Sequence, residues 1–214
     1  MVQTSYQYAN AVISDDYKNL QGIHLQYKNI AIYERDIYFL KSELNLLAQQ
    51  AIECRASGTI EEILSVLKAY FDNNLSECPS VLKDISEVLG LFNRTTQASS
   101  FRLLFSKVNT NMCRKFHTDI NNLRLLCTYA GPGTLWVPDE AIDDRALRRN
   151  GKNHEIVRDE QQIQQVQTGD VAILKGALYP DAQPILHRSP TIEETGETRI
   201  LLRIDTNEPL NFLI

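Results

Sequence analysis

The chain has 214 residues, 43% hydrophobic and 23% charged, with 27 acidic against 22 basic side chains and a net charge of −5. That balance suits a globular protein with one sizeable core, and it argues against the basic footprint of a nucleic-acid binder. Every apolar run is broken by charge well short of the roughly 18 residues a membrane-spanning helix needs, so no membrane role is expected.

The first residues, MVQTSYQYANAVISDDYKN, lack a basic segment followed by an apolar one, which predicts a cytoplasmic protein. Its four cysteines, Cys54, Cys78, Cys113 and Cys127, are then expected as thiols, and no CxxC pair is present.

In chain order, residues 1–99 read as a mostly helical layer. RDIYFLKSELNLLAQQAIEC spaces Ile37, Leu40, Leu44, Leu47 and Ala51 by three and four, as an amphipathic helix requires. SGTIEEILSVLKAYFDNN has a Ser or Thr cap and Glu61 and Glu62 in its first turn. CPSVLKDISEVLGLF predicts a third helix, with Pro79 near its start and Gly90 near its end. From Ser100 to Ile214 the texture changes. SFRLLFSKVNT, RKFHTD, LRLLCTY, TLWVP, DVAILKG, PILHRS and TRILLRID are short β-prone runs, punctuated by Gly, Pro, Asn and Asp. PDEAIDDRALRRNG between them reads as a short surface helix. Many short strands with tight turns favour an antiparallel sandwich or barrel, with the helical part packed on one outer face as a single α+β unit.

The chemistry gathers in CRKFHTDINN. In an extended backbone His117 and Asp119 share a face, about 7 Å apart by the strand rise. The other histidines are His24 in a polar N-terminal stretch, His154 in a turn, and His187 in the β-prone PILHRSP. Two histidines and one carboxylate with open positions are the ligand set of non-haem Fe(II) oxygenases. Arg199 and Arg203 in TRILLRID, four apart, also share a strand face, and a guanidinium grips a carboxylate through two parallel hydrogen bonds. The order of these residues resembles that of 2-oxoglutarate-dependent dioxygenases, where an arginine roughly a dozen residues past the last histidine holds the distal carboxylate of the co-substrate. The resemblance gives Arg199 that role, with Arg203 as helper or substitute.

Plainer readings stand beside these. His117 and Asp119 can form a structural hydrogen bond. Arg199 and Arg203 can face water while Ile200, Leu202 and Ile204 face the core. Tyr129 can bind the co-substrate carboxylate or sit in the core with its hydroxyl satisfied. In AGPGT, Thr134 and Trp136 can overhang a substrate, although a tight connection with Trp136 in the core is favoured. Cys113, His117 and Cys127 form a competing zinc set, disfavoured by their spacing and by the lack of a fourth cysteine in reach.

CRKFHTDINNLRLLCTYAGPGTLWVP, with TGDVAILKG, HRSP and ETRILLRID, resembles the bacterial family called domain of unknown function 1826, over about Tyr33 to Asp205. The resemblance implies a cupin-like double-stranded β-helix (jelly roll) and a link to zinc-homeostasis proteins. The expectation is therefore an α+β protein with a helical layer over residues 1–99 and a β-rich barrel-like half over 100–214. His117, Asp119 and His187 would hold Fe(II) as the catalytic centre, and Arg199, Arg203 and Tyr129 would hold 2-oxoglutarate. The product would be a hydroxylated small-molecule or protein substrate. The alternative is a non-catalytic cupin-like module that binds zinc or another ligand.

Overall fold

The computed structural model describes residues 8–181 and 183–207. Among those residues the strands are, in chain order, β1 (Ala11–Ser14), β2 (Ile30–Tyr33), β3 (Glu53–Gly58), β4 (Phe101–Val108), β5 (Leu123–Ala130), β6 (Leu135–Trp136), β7 (Gln164–Gln165), β8 (Val171–Lys175), β9 (His187–Arg188) and β10 (Arg199–Thr206). Seven of them form a central sheet in the order β1-β2-β8-β5-β10-β4-β3, and a smaller sheet has the order β7-β6-β9. In the large sheet β1 and β2 pair in parallel, and every other pair is antiparallel.

Strand alternation gives the large sheet two different faces. Leu125, Cys127, Tyr129, Ile200, Leu202, Ile204, Phe101, Leu103 and Phe105 point to one side, into a core closed by two helices. These are α2 (Ile60–Asn74) and α3 (Pro79–Thr96), which follow the short α1 (Lys41–Leu47) and bury Ile63, Leu67, Phe71, Ile85, Leu89 and Phe92 against the sheet. The reverse face carries Leu126, Leu201, Ala172 and Leu174, and meets Trp136, Val166 and Ile185 from the small sheet and its flanks. The site lies at this second interface.

Local sequence explains the helix ends. Thr59 and Glu62 form a reciprocal capping box at the start of α2. Pro79 opens α3, whose free Ser80 and Val81 amides donate to the Glu43 carboxylate at 3.1 and 2.8 Å. That places a negative charge where the helix dipole favours one. Gly90 does not end α3. The helix runs on to Thr96 because Leu91, Phe92 and Thr95 are buried, and it stops at Gln97 with a φ of 53°.

Three expectations about elements need adjustment. Helices α1, α2 and α3 dominate residues 8–99, but the same stretch also supplies β1, β2 and β3 to the large sheet, so the helices are not a layer apart from the β part. The helix expected over 35–54 shrinks to a 3-10 turn at Tyr38–Leu40 and α1, while Cys54 pairs with Phe105 as part of β3. Pairing with β4 overrides the local helical pattern there, because it sets Cys54 into the helix-covered core. RKFHTD is not a strand either. His117 forms one isolated antiparallel bridge with His187, and the Phe116 amide donates to the side-chain oxygen of Asn153 instead of a ladder. The surface-helix segment forms α4 (Asp144–Arg148), followed by α5 (Asn153–Ile156), which carries His154.

Candidate metal centre

The bridge between His117 and His187 fixes the site. The two residues exchange backbone hydrogen bonds of 3.0 Å in both directions, so their side chains leave the backbone together. Their rings lie 4.6 Å apart, centre to centre, at 46°. The Nδ1 of His117 lies 3.0 Å from the carbonyl of Lys115, and that of His187 lies 3.3 Å from the carbonyl of Ile185. A carbonyl only accepts, so each Nδ1 carries the proton and each neutral ring presents the Nε2 lone pair.

Both Nε2 atoms face the same carboxylate. Asp119 Oδ1 lies 3.5 Å from His117 Nε2, and Oδ2 lies 3.2 Å from His187 Nε2. The three donor atoms fall within 4.8 Å of one another. Two imidazole lone pairs and a carboxylate aimed at each other repel unless a cation sits among them, as protons on the rings or as a metal ion. Two nitrogens and one oxygen, each from a different residue, fit a divalent transition metal. Burial alone would raise the Asp119 carboxyl. Where no metal takes their place, hydrogen bonds from ring Nε2–H groups of His117 and His187, together with the Arg124 guanidinium, outweigh it, so Asp119 stays ionised well below the usual range. Its hydrogen bond to Asp119 raises His117 against the opposing effect of burial.

Two residues that the sequence reading missed complete the centre. The Arg124 guanidinium pairs with Asp119 through Nη1 and with Asp205 through Nε at 2.6 Å. Asp205 is buried and also accepts from the Asn121 amide at 3.0 Å. Arg124 and Asp205 are register partners across β5 and β10, so the sheet itself positions the tether on Asp119.

Farther along β10, Arg199 is only 2% exposed. Its Nη2 donates to the hydroxyls of Thr128 and Thr134 at 3.1 and 3.4 Å, and its Nε has no acceptor. Among the described residues no carboxylate pairs with it, and burial pushes its pKa down to about 10, still cationic at neutral pH. Thr134 is held there by the AGPGT turn. A Cβ on Gly133 would stand 1.8 Å from the Val166 carbonyl, so only glycine allows that approach. Trp136 packs in the inter-sheet core.

Other candidates fall elsewhere. Arg203 does not join Arg199; its Nε lies 3.4 Å from Asp205. Tyr129 projects to the opposite, helix-covered face, because it is one residue out of step with Thr128, and its hydroxyl donates to Asp84 at 2.6 Å. It has no place beside Arg199. Cys113 is exposed and Cys127 is buried on the helix side, so they do not meet around His117. His24 is engaged by Tyr179 and the Thr95 carbonyl. Thr128 was legible by parity, since it shares the Arg124 and Leu126 face.

A family model described as "Protein of unknown function (DUF1826)" matches residues 14–205. No curated protein matches the chain. Among solved structures, the chain is similar to the dioxygenase for auxin oxidation 1 from Arabidopsis thaliana in a binary complex with 2-oxoglutarate, at 8% identity and a TM-score of 0.57. The match covers 94% of this chain and 93% of that one. A bsmA homolog from Methylobium petroleophilum aligns at 10% identity and a TM-score of 0.49, over 88% and 91% of the two chains. A prolyl-4-hydroxylase of Pseudomonas putida aligns at 10% identity and a TM-score of 0.38, over 81% and 97%. The first likeness is one of fold: the two-sheet arrangement here is that of a dioxygenase jelly roll, within an α+β chain.

Proposed function

The chain belongs to the DUF1826 family, and from its fold and site we propose that it is an Fe(II)- and 2-oxoglutarate-dependent dioxygenase that hydroxylates its substrate. The observation that carries the reading is Arg199. A buried guanidinium without a carboxylate partner is costly unless a ligand supplies the anion. It shares the inter-sheet interface with three convergent metal donors.

In this reading His117, Asp119 and His187 hold the metal, which supplies dioxygen activation coupled to oxidative decarboxylation of 2-oxoglutarate. The carbonyls of Lys115 and Ile185 keep both rings in the ligating tautomer. Arg124 holds the Asp119 carboxylate in place and offsets part of its charge. Arg199 takes one carboxylate of the co-substrate, and the Thr128 and Thr134 hydroxyls orient its fork. The small sheet and Trp136 exclude water from that end of the cleft.

Anaerobic titration with Fe(II) and 2-oxoglutarate tests the reading. A weak visible charge-transfer band should appear, vanish in His117→Ala, and require far more 2-oxoglutarate in Arg199→Ala. The donor set also suits zinc, which supports a second reading as a non-catalytic binding module. Zinc binding with no effect of 2-oxoglutarate on either the wild type or Arg199→Ala would select that alternative.

A further inference from the structure

Arg55 on β3, Arg102 on β4, Arg124 on β5 and Arg199 and Arg203 on β10 all lie on the inward face of the large sheet. Their partners differ. Arg55 pairs with Glu53 at 2.9 Å, Arg124 with Asp119 and Asp205, and Arg199 is assigned above. Among the described residues Arg102 has no ion pair, and Arg203 has only a 3.4 Å contact from its Nε to Asp205. Asp205 lies directly across from Arg102 in the β4–β10 register, yet among the described residues no ion pair joins them. The Asp205 oxygens are already used. Oδ1 accepts from Arg124 Nε at 2.6 Å and Asn121 at 3.0 Å, and Oδ2 accepts from Arg124 Nη2 at 3.3 Å.

Arg203 is thereby left short of an acceptor. Its Nε is enclosed and makes no hydrogen bond, although Asp205 Oδ2 is 3.4 Å away. A buried donor without an acceptor is rare and costly. Arg102 and Arg203 are diagonal neighbours on adjoining strands, about 7–8 Å apart by sheet geometry, a span that one oxyanion can bridge with two long side chains. The place is open. The inter-sheet apolar cluster has no member from β3 or β4; Leu104, opposite Arg203, is buried, but Arg102 and Arg55 are exposed, so this edge of the face reaches solvent. The pair therefore stands where the cleft meets solvent, beside the tether that holds Asp119.

We infer that Arg203 and Arg102 receive an oxyanion of the substrate, so that the enzyme acts on a small acid such as a carboxylate, sulfonate or phosphate ester. This inference rests on the oxygenase reading and deepens it. The anionic end enters between the two guanidinium groups, and the reacting carbon turns toward His117, Asp119 and His187. Arg203 is thus a specificity residue and not a second grip on the co-substrate.

Inorganic phosphate is the probe, followed by 31P NMR with the chain saturated in 2-oxoglutarate and loaded with Mn(II). The expected result is phosphate relaxation enhanced by the metal, weakened at least roughly tenfold in Arg203→Gln and Arg102→Gln and partly restored in Arg203→Lys. Arg203→Gln should keep its 2-oxoglutarate affinity within about twofold, while Arg199→Gln loses it. Equal loss of 2-oxoglutarate in both variants overturns the inference. So does phosphate that fails to bind, or that binds equally to wild type and variants, an adventitious ion only. Line broadening in metal-free protein, sensitive to the same variants but without Mn(II) relaxation, sinks the oxygenase reading and leaves the anion site standing. Thermal unfolding of each variant separates loss of the site from loss of the fold.

Discussion

The two faces of one sheet treat buried charge in opposite ways. On the helix-covered face, Arg35 forms a bidentate pair with Asp84 at 2.7 and 2.9 Å, Tyr129 donates to the same carboxylate, and Arg35 Nε donates to the Gly169 carbonyl at 2.7 Å. Every strong group there meets its complement inside the chain. On the inward face Arg124 is likewise closed by Asp119 and Asp205, but among the described residues Arg199 has only hydroxyls and Arg203 has an unsatisfied Nε. A closed network ties a core together, whereas an open one leaves its complement to a ligand.

The largest effects should come from cutting the closed network. Arg35→Met leaves Asp84 and its charge buried without a counter-ion, which costs about 3–5 kcal/mol of stability. Arg199→Met should be neutral or stabilising, because it replaces an uncompensated buried charge with an apolar chain of similar volume. Chemical denaturation of the two variants measures the contrast; comparable destabilisation by both would erase the distinction between the faces. On the proposed reading, 2-oxoglutarate should stabilise the wild type and fail to stabilise the Arg199 variant.

Next in size is metal binding. Asp119→Asn removes a ligand charge and should weaken Mn(II) or Zn(II) binding by two orders of magnitude or more, while Arg124→Met, acting through Asp119, should cost about 10–100-fold. Competition against a chelator of known affinity reads both. An Arg124 variant with unchanged affinity would mean that the tether is incidental to the metal.

What the sequence made legible follows the same division. The convergence of His117, Asp119 and His187 was readable because histidine is scarce in this chain, four in all, and the order of the three is ligand-like. Arg124 and Asp205 were not, since nothing in LRLLC or LRID marks a residue whose partner is set by the register of two strands 81 residues apart. β1 and β2 are four residues each, too short to show alternation, and β3, ECRASG, has little strand propensity of its own. Tertiary pairing decided all three. Tyr129 was misplaced for a different reason: its hydroxyl suggested a ligand, but its parity puts it with Cys127 on the other face.

The smallest prediction probes that parity directly. Tyr129→Phe removes one hydrogen bond to Asp84 and should cost toward the lower end of about 1.5–3 kcal/mol, the range for a charged acceptor, because Asp84 keeps Arg35. The Tyr129 phenol is pushed well above its ordinary value by burial, so it is a donor throughout the neutral range and pH does not alter the comparison. Since the sheet stands between this side chain and Arg199, 2-oxoglutarate affinity should not move. Thr128→Val, one residue earlier, removes a hydroxyl that Arg199 contacts at 3.1 Å and should weaken the co-substrate with little change in stability. If instead Tyr129→Phe impairs 2-oxoglutarate binding and Thr128→Val does not, the two faces are coupled in a way their geometry gives no route for.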